Sequence, residues 1–334
     1  MRPTIKDVAK LANVSTATVS NVLTKKKYVS PDLEEKIRQA MNKLNYKPNT
    51  IARSLKVNRS FNIGLMVPDI TNPFFGEIVK YAEKVAHKEN YQITLCNSDN
   101  DSKREKKLID IFLSAGVDGI INVAPRMKQR QLNEKINIPM LIVDRPHFQT
   151  TENIAFVYAD NYISSASVAQ YFVEKGYRKF ICFAGPVEDV PNAFKRLSGF
   201  LDKLKEYGFS EKDCEVYYCD FTFDSGYNTM DQLLKNYNPL DHKAAFISND
   251  ITAWGAIEAA KAQNLQIPKD IAIAGYDNIY FSKFLHPGLT TVENPTKELG
   301  TMAAQLLIDV INSQKKFNGN YIVVSSSLIE RQST

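Results

Sequence analysis

Hydrophobic positions recur along this chain with two different periods, and the change of period divides it. From Ile5 to Leu44 they fall at helical spacing in three short stretches. In "TIKDVAKLA", Ile5, Val8, Ala9 and Ala12 share one face, and Thr4 with Asp7 three residues on forms an approximate capping box. "NVS" reads as a turn in which Asn13 can take a left-handed conformation. Ser15 can then cap a second helix running from Thr16 to about Leu23. Val19, Val22 and Leu23 face inward on it, and Thr16, Ala17, Ser20 and Asn21 face outward. "SPDLEE" announces a third helix, with Ser30 as cap, Pro31 at the first helical position and acids in the first turn. Leu33, Ile37, Ala40, Met41 and Leu44 form its buried stripe. Two short helices across a three-residue turn make a helix-turn-helix pattern.

From residue 61 onward, buried-strand runs alternate with amphipathic helices. "NIGLMV", "YQITLC", "GIINV" and "PMLIVD" read as strands, separated by helices in "GEIVKYAEKVAHKE", "KREKKLIDIFLSAG" and near Gln129–Lys135. "KFICFAG", "CEVYYCD", "AAFISND" and "IAIAGYD" repeat the pattern, with helices around Tyr162–Lys175, Ala193–Tyr207, Ser225–Lys235 and Ala253–Gln263. Such alternation predicts an α/β fold of parallel sheets covered by helices, and two such sets imply two lobes with a cleft between them. Ligands of open α/β sheets bind at the carboxyl ends of the strands. Those ends carry Asn72, Phe74 and Phe75 in "PDITNPFF", Asp144 and Arg145 in "VDRP", Asn249 and Asp250 in "SND", Asp277 in "GYD" and Asn294 in "VENP". Arg196 sits near a helix start in "FKRLSGF". Aromatic rings with scattered Asp, Asn and Arg suit a monosaccharide, whose hydroxyls need paired donors and acceptors and whose apolar face stacks on rings.

Charge sharpens the division. Residues 1–60 carry +9 and the remainder −4, within an overall +5. A basic head on a mildly acidic body points to a polyanion partner for the head alone. The head has no amphipathic Trp/Phe face for a membrane surface, and an outward helix face of small, uncharged residues lets a backbone approach base edges closely. "YKPNTIARSLKVNRS" then places Asn49 as a cap before Ile51, Ala52 and Leu55 on one side. That segment reads as a helix formed on DNA, with Leu55 wedged into a minor-groove step.

The 334 residues, 44% hydrophobic and 24% charged, fit two or three ordinary globular domains. There is no apolar run long enough to span a membrane and no secretory h-region, so the expected compartment is the cytosol. The four cysteines lack partners at metal-ligand spacing and read as reduced thiols; no metal or cofactor is expected. The glycine-rich, nucleophile-elbow and zinc motifs of enzymes are missing, and the four histidines are scattered. A transport-type sugar-binding protein would need a signal peptide and no basic head.

"TIKDVAKLANVSTATVSNVL", "YVSPDLEEKIRQAMNKLNYKPNTIARSLKVN", "IGLMVPDITNPFF", "ISNDITAWGAI", "IAGYDNI" and "PGLTTVENPTKELG" stand in an order that resembles the lactose-repressor (LacI/GalR) family of bacterial transcription regulators. The resemblance covers essentially the whole chain. It implies a DNA-binding head at 1–48, a hinge helix at 49–60 and an effector domain at 61–334 resembling periplasmic sugar-binding proteins. The lobes would comprise about 61–159 with 292–323, and about 160–291 with 324–334. It implies a homodimer on a palindromic operator, with Thr16, Ala17 and Asn21 on base edges, Thr4, Ser15, Ser20, Tyr28 and Asn49 on phosphates, and Ala52 and Leu55 at the minor groove. It adds Phe221 to the effector positions, a set that resembles ribose-type pockets. The alternative is a co-repressor-dependent regulator answering to a phosphorylated sugar, a nucleobase or a partner protein. One departure stands out: many members carry Arg where this chain has Asn21, and Lys25–Lys27 replace a turn that is often Asn-Gly.

Overall fold

The computed structural model describes residues 3–24, 27–46, 59–127, 136–146, 150–188, 190–236, 238, 243–319 and 321–334. The expected helix near Gln129–Lys135 and the hinge positions Asn49, Ala52 and Leu55 lie outside the described residues. The chain divides into two compact units, Met1–Ser60 and Phe61–Thr334.

The first unit contains α1 (Ile5–Ala12), α2 (Thr16–Thr24) and α3 (Pro31–Lys43). Its core is Val8, Ala9, Ala12, Val19, Val22, Ile37 and Ala40, flanked by half-buried Ile5, Val14, Leu33, Met41 and Leu44. This is the apolar stripe that helical spacing picks out. Asn13 closes α1 at φ 53°. The Asp7 carboxylate accepts from the Thr4 N–H at 2.8 Å and from its hydroxyl at 2.7 Å, and those bonds hold its pKa below the usual value. Ser15 Oγ accepts from the Thr18 N–H at 3.1 Å, capping α2. Ser30 occupies the N-cap of α3 without a side-chain capping bond; its carbonyl accepts from Leu33 and Glu34 instead.

The second unit holds two six-stranded sheets. The first lobe is built from β1 (Asn62–Val67), α4 (Pro73–Lys88), β2 (Gln92–Asn97), α5 (Ser102–Ser114), β3 (Gly119–Val123), β4 (Met140–Val143) and β5 (Ile154–Ala159). The second is built from α6 (Asn161–Glu174), β6 (Lys179–Ala184), α7 (Pro191–Glu206), β7 (Cys214–Tyr218), α8 (Phe223–Leu234), β8 (Lys243–Ile247), α9 (Asp250–Ala262), β9 (Ile271–Asp277) and β10 (Thr290–Glu293). The chain then returns through α10 (Thr296–Ser313) and β11 (Tyr321–Val324) to the first lobe, and ends with β12 (Ser327–Ile329) in the second. The sheet orders are β11-β5-β4-β3-β1-β2 and β12-β10-β9-β8-β6-β7. Every pairing is parallel except β10 with β12.

The central strands are buried on both faces, which is why they read as continuous apolar runs such as "GIINV" and "IAIAGYD". Separate clusters lie on the two sides of each sheet, around Ile78 and Leu307 or Phe112 and Met140 in one lobe, and around Phe200 and Phe246 or Met230 and Ile257 in the other. Helices α8 and α9 approach to backbone contact: a Cβ on Gly226 would meet the Thr252 carbonyl oxygen at 2.0 Å, and one on Gly255 the Phe223 oxygen at 2.0 Å.

The chain crosses between the lobes three times: after β5, between β10 and α10, and between β11 and β12. The expected limit at 291/292 cuts through β10, which stays in the second sheet because Val292 and Glu293 pair with β9 and β12. Likewise Val324 pairs with Ala159 and belongs to the first sheet.

Candidate functional site

On the head, Thr16 and Ala17 of α2 are exposed and Ser20 and Asn21 are half-buried. The outward face is therefore fully open only over its first turn. Tyr28, after α2, is 89% exposed, an unusual cost for a large ring unless it is to be covered. Thr4 and Ser15 are exposed, with both hydroxyls engaged in the caps already described.

Within the second unit, a cavity of about 220 Å³ opens between the two lobes. Its walls come from the carboxyl ends of parallel strands in both sheets. Nine of the eleven effector positions expected from sequence line it: Asn72, Phe74, Phe75, Asp144, Arg145, Arg196, Phe221, Asn249 and Asp277. Its volume lies below the ~300–1,000 Å³ of drug-sized pockets, so it suits a ligand of monosaccharide size.

From the first lobe, Asn72 caps α4, its Oδ1 accepting from the Phe74 N–H at 3.0 Å. Phe74 and Phe75 pack edge to face, with centroids 5.1 Å apart. Asp144 follows β4 at φ 77°, a left-handed backbone that a non-glycine residue adopts at a cost. Its carboxylate and its carbonyl both accept from Asn192 Nδ2 of the second lobe, at 2.9 and 3.0 Å, so this pair spans the cleft. Arg145 donates to the Ala124 carbonyl at 2.9 Å. Burial raises the Asp144 pKa and lowers that of Arg145 to about 10, the second effect opposed by the Asp144 charge.

In the second lobe Arg196 is the organising side chain. Nε donates to Asn161 Oδ1 at 2.7 Å, Nη1 to the Ser248 carbonyl at 2.6 Å, and Nη2 meets Asp277 Oδ1 at 3.4 Å. The guanidinium lies 3.6 Å from the centre of the Tyr276 ring. Donors and stacking face are thus fixed before any ligand arrives. Asp277, at φ 110°, is the counterpart of Asp144 at the end of β9. Burial drives its pKa up to about 7, against the pull of Arg196. The Phe221 ring sits over Gly185, where a Cβ would come within 2.4 Å of it; glycine there is what admits the ring. Asn249 caps α9 and donates to the Phe221 carbonyl at 3.4 Å.

Two expected positions lie elsewhere. Asp250 is fully buried beneath the loop after β9, accepting from the Ile279 N–H at 3.0 Å, the Ser282 hydroxyl at 2.5 Å and the Thr291 hydroxyl at 2.6 Å. It is a structural anchor whose pKa burial raises to about 6. Asn294 stands behind the cavity and donates to Asp277 Oδ1 at 3.3 Å. Sequence reasoning missed Asp69, Asn100, Arg126, Asn192, Asp220 and Thr222, which complete the polar lining. Arg126 was within reach of the same rule, since it follows "GIINV" after Ala124 and Pro125, much as Arg145 follows "MLIV" after Asp144.

Among the described residues there is no cluster of three His, Cys, Asp or Glu side chains able to hold a metal. No described helix is long and apolar enough to cross a membrane.

Comparison with known proteins places these features. The profile of "Bacterial regulatory proteins, lacI family" matches residues 4–49, and that of a "Periplasmic binding protein-like domain" matches 169–334. The chain is 34% identical over 334 residues to the ribose operon repressor of Escherichia coli strain K12, covering 99% of each. It is 35% identical over 337 residues to the HTH-type transcriptional repressor PurR of Pectobacterium carotovorum, covering 99% of this chain and 96% of that one. The lac repressor dimer bound to operator and an anti-inducer superposes with TM-score 0.85 at 24% identity, over 100% of this chain and 99% of that one. A LacI family regulator from Enterococcus faecium with bound ribose superposes at 0.72 and 26% identity, over 82% and 98%.

Proposed function

The chain belongs to the lacI family of bacterial regulatory proteins, and from that membership we propose a transcriptional repressor of carbohydrate-utilisation genes whose hold on its operator is set by a sugar between the two lobes. A ribose-like monosaccharide is the first choice of effector. The observation that carries this is the cleft cavity: aromatic rings from both lobes, a pre-fixed Arg196 and two buried carboxylates converge on a space of about 220 Å³. Neutral hydroxyls need this mixture of donors, acceptors and stacking faces. The ribose repressor among its relatives and the ribose-bound Enterococcus regulator support the same class.

In this reading two copies of the chain bind a palindromic operator in the bacterial cytoplasm. Residues 1–48 form the reading head, 49–60 the hinge and 61–334 the sensor. Each copy lays α2 in a major groove, with Thr16, Ala17 and Asn21 on base edges. Ser15, Ser20, Tyr28 and Asn49 meet phosphates, and Thr4 does so by exchanging its bond to Asp7. Ala52 and Leu55 enter the minor groove between half-sites. Because the cavity has a wall in each lobe, a bound sugar favours one lobe arrangement. It shifts operator affinity only by its differential affinity for the two arrangements.

Arg196→Ala tests the assignment. Calorimetry with D-ribose should show binding to the native chain and a loss of about 100-fold or more in the variant, since the charged donors that Arg196 does not spend on Asn161, Ser248 and Asp277 leave the cleft. Operator binding, read by fluorescence anisotropy on selected DNA, should persist while its response to ribose disappears. Unchanged ribose affinity in the variant would remove Arg196 from the site.

A further inference from the structure

Three guanidinium groups line the cleft cavity, from Arg126, Arg145 and Arg196. Protein acceptors hold two of them: Arg145 is bonded to the Ala124 carbonyl, and Arg196 to Asn161, Ser248 and Asp277. The half-buried Arg126 side chain makes no hydrogen bond or ion pair with any described residue, and its Nε is buried without an acceptor. Charged donors in that position are ordinarily matched by an acceptor.

The backbone that presents Arg126 is nevertheless fixed with care. Ala124 turns the chain at φ 50° as it leaves β3. The Arg126 and Met127 N–H groups then donate to the two oxygens of Glu105, at 2.8 and 2.9 Å. Glu105 is itself 1% exposed; its hydrogen bonds go to the loop backbone, and it feels the Arg126 and Arg145 charges without making a direct ion pair with the Arg126 side chain. Arg145 feels Arg126 as a like charge that adds to the effect of burial on its pKa. Two guanidinium groups therefore act on the same part of the first-lobe wall. Of the carboxylates around the cavity, burial shifts Asp144 and Asp277 toward their neutral forms, Asp69 accepts from the Thr71 N–H and hydroxyl, and Asp220 is exposed.

A neutral pentose already finds charged donors in Arg145 and Arg196, and has no need of a further free guanidinium. Parallel N–H groups in a rigid fork match a phosphate or a carboxylate. We propose that the effector is a pentose-sized sugar bearing an anionic substituent, phosphate or carboxylate, and that Arg126 receives that group. This rests on the sugar reading of the cleft and narrows it: Arg126 sets which derivative is sensed, while Arg196 and the rings hold the sugar itself.

Calorimetry on the full chain with D-ribose, D-ribose 5-phosphate and D-ribonate tests it, at low and at raised salt. One of the two anions should bind about tenfold or more tighter than ribose, and its advantage should shrink as salt rises. The winning anion distinguishes phosphate from carboxylate. In Arg126→Gln, which keeps a polar side chain without the charge, the ratio of that anion to ribose should fall to within about threefold. Ribose binding as tightly as both anions to the native chain would overturn the proposal, as would Arg126→Gln retaining the anion preference. If that variant melts early by Trp254 fluorescence, the ranking and its salt dependence in the native chain decide the matter alone. Absence of binding by every sugar in the panel would bring down the sugar reading and this inference together, whereas ribose binding without anion preference would overturn only the latter.

Discussion

Replacing Asp277 with Asn should flatten the dependence of stability on pH. Asp277 is buried, and its native pKa is about 7, against about 3.9 for an exposed aspartate. The folded protein thus keeps a proton that the unfolded chain has released. That contribution is complete below about pH 4 and is lost as pH rises toward 7, at about 1.4 kcal/mol per pH unit. Between pH 5 and 7.5 the loss from Asp277 is about 3 kcal/mol. Asp250, with a native pKa of about 6, adds a loss of about 1 kcal/mol over the lower part of that range. Over that range Asp277→Asn should therefore lose about 3 kcal/mol less stability than the native chain. The sequence has a single tryptophan: Trp254, on α9 in the same lobe, so urea unfolding followed by its fluorescence reports on this region. Equal slopes for the two proteins would refute the reasoning, because the proton would then reside elsewhere. Asn keeps an oxygen for Arg196 Nη2 and Asn294 Nδ2, so the change removes the titration while retaining the shape.

Two further outcomes follow from the geometry. Gly226→Ala places a methyl 2.0 Å from the Thr252 carbonyl oxygen, forcing α8 and α9 apart at a cost of about 1–3 kcal/mol; the Trp254 melting midpoint should fall by several degrees, and an unchanged melt would mean the helix pair is looser than described. Asn21→Arg should move the preferred operator base from adenine toward guanine, since Asn pairs with adenine N6/N7 and Arg with guanine O6/N7; identical selected sequences for both proteins would place Asn21 off the base edges.

Much of this architecture was legible because buried parallel strands announce themselves as unbroken apolar runs. "NIGLMV", "GIINV" and "IAIAGYD" have the limits that the sequence pattern predicts. Helix starts were read late, by two or three residues, where a proline or an acid opens the first turn ahead of the apolar stripe, as at Pro73, Pro191 and Asp250. The return elements were harder. β11 is exposed at alternate residues and β12 is only partly buried. No helix separates them, so the strand–helix rhythm gives no cue that they join different sheets. The strand-end rule found most of the cavity but could not separate Asp277 from Asp250. Both are acids just beyond or at the carboxyl end of a strand, and only the fold shows that Thr291, Ser282 and Ile279 close over Asp250. Asn192 escaped because it comes from a helix start that becomes relevant only when the lobes face each other.

The three passages of the chain between the lobes also fix how this protein can be recombined. The head is one uninterrupted stretch, so a single junction near Ser60 would transfer it whole to another sensor and change the DNA address without altering the signal. Neither lobe is contiguous: the first takes β1–β5 and then β11, the second takes β6–β10 and then β12, and the last strand of the chain sits in a different sheet from its predecessor. A single breakpoint inside the sensor would leave one sheet assembled from two parents, and exchanging one lobe cleanly would require three breakpoints at once. Addresses are portable among such proteins, whereas sensors must be retuned residue by residue within the cleft.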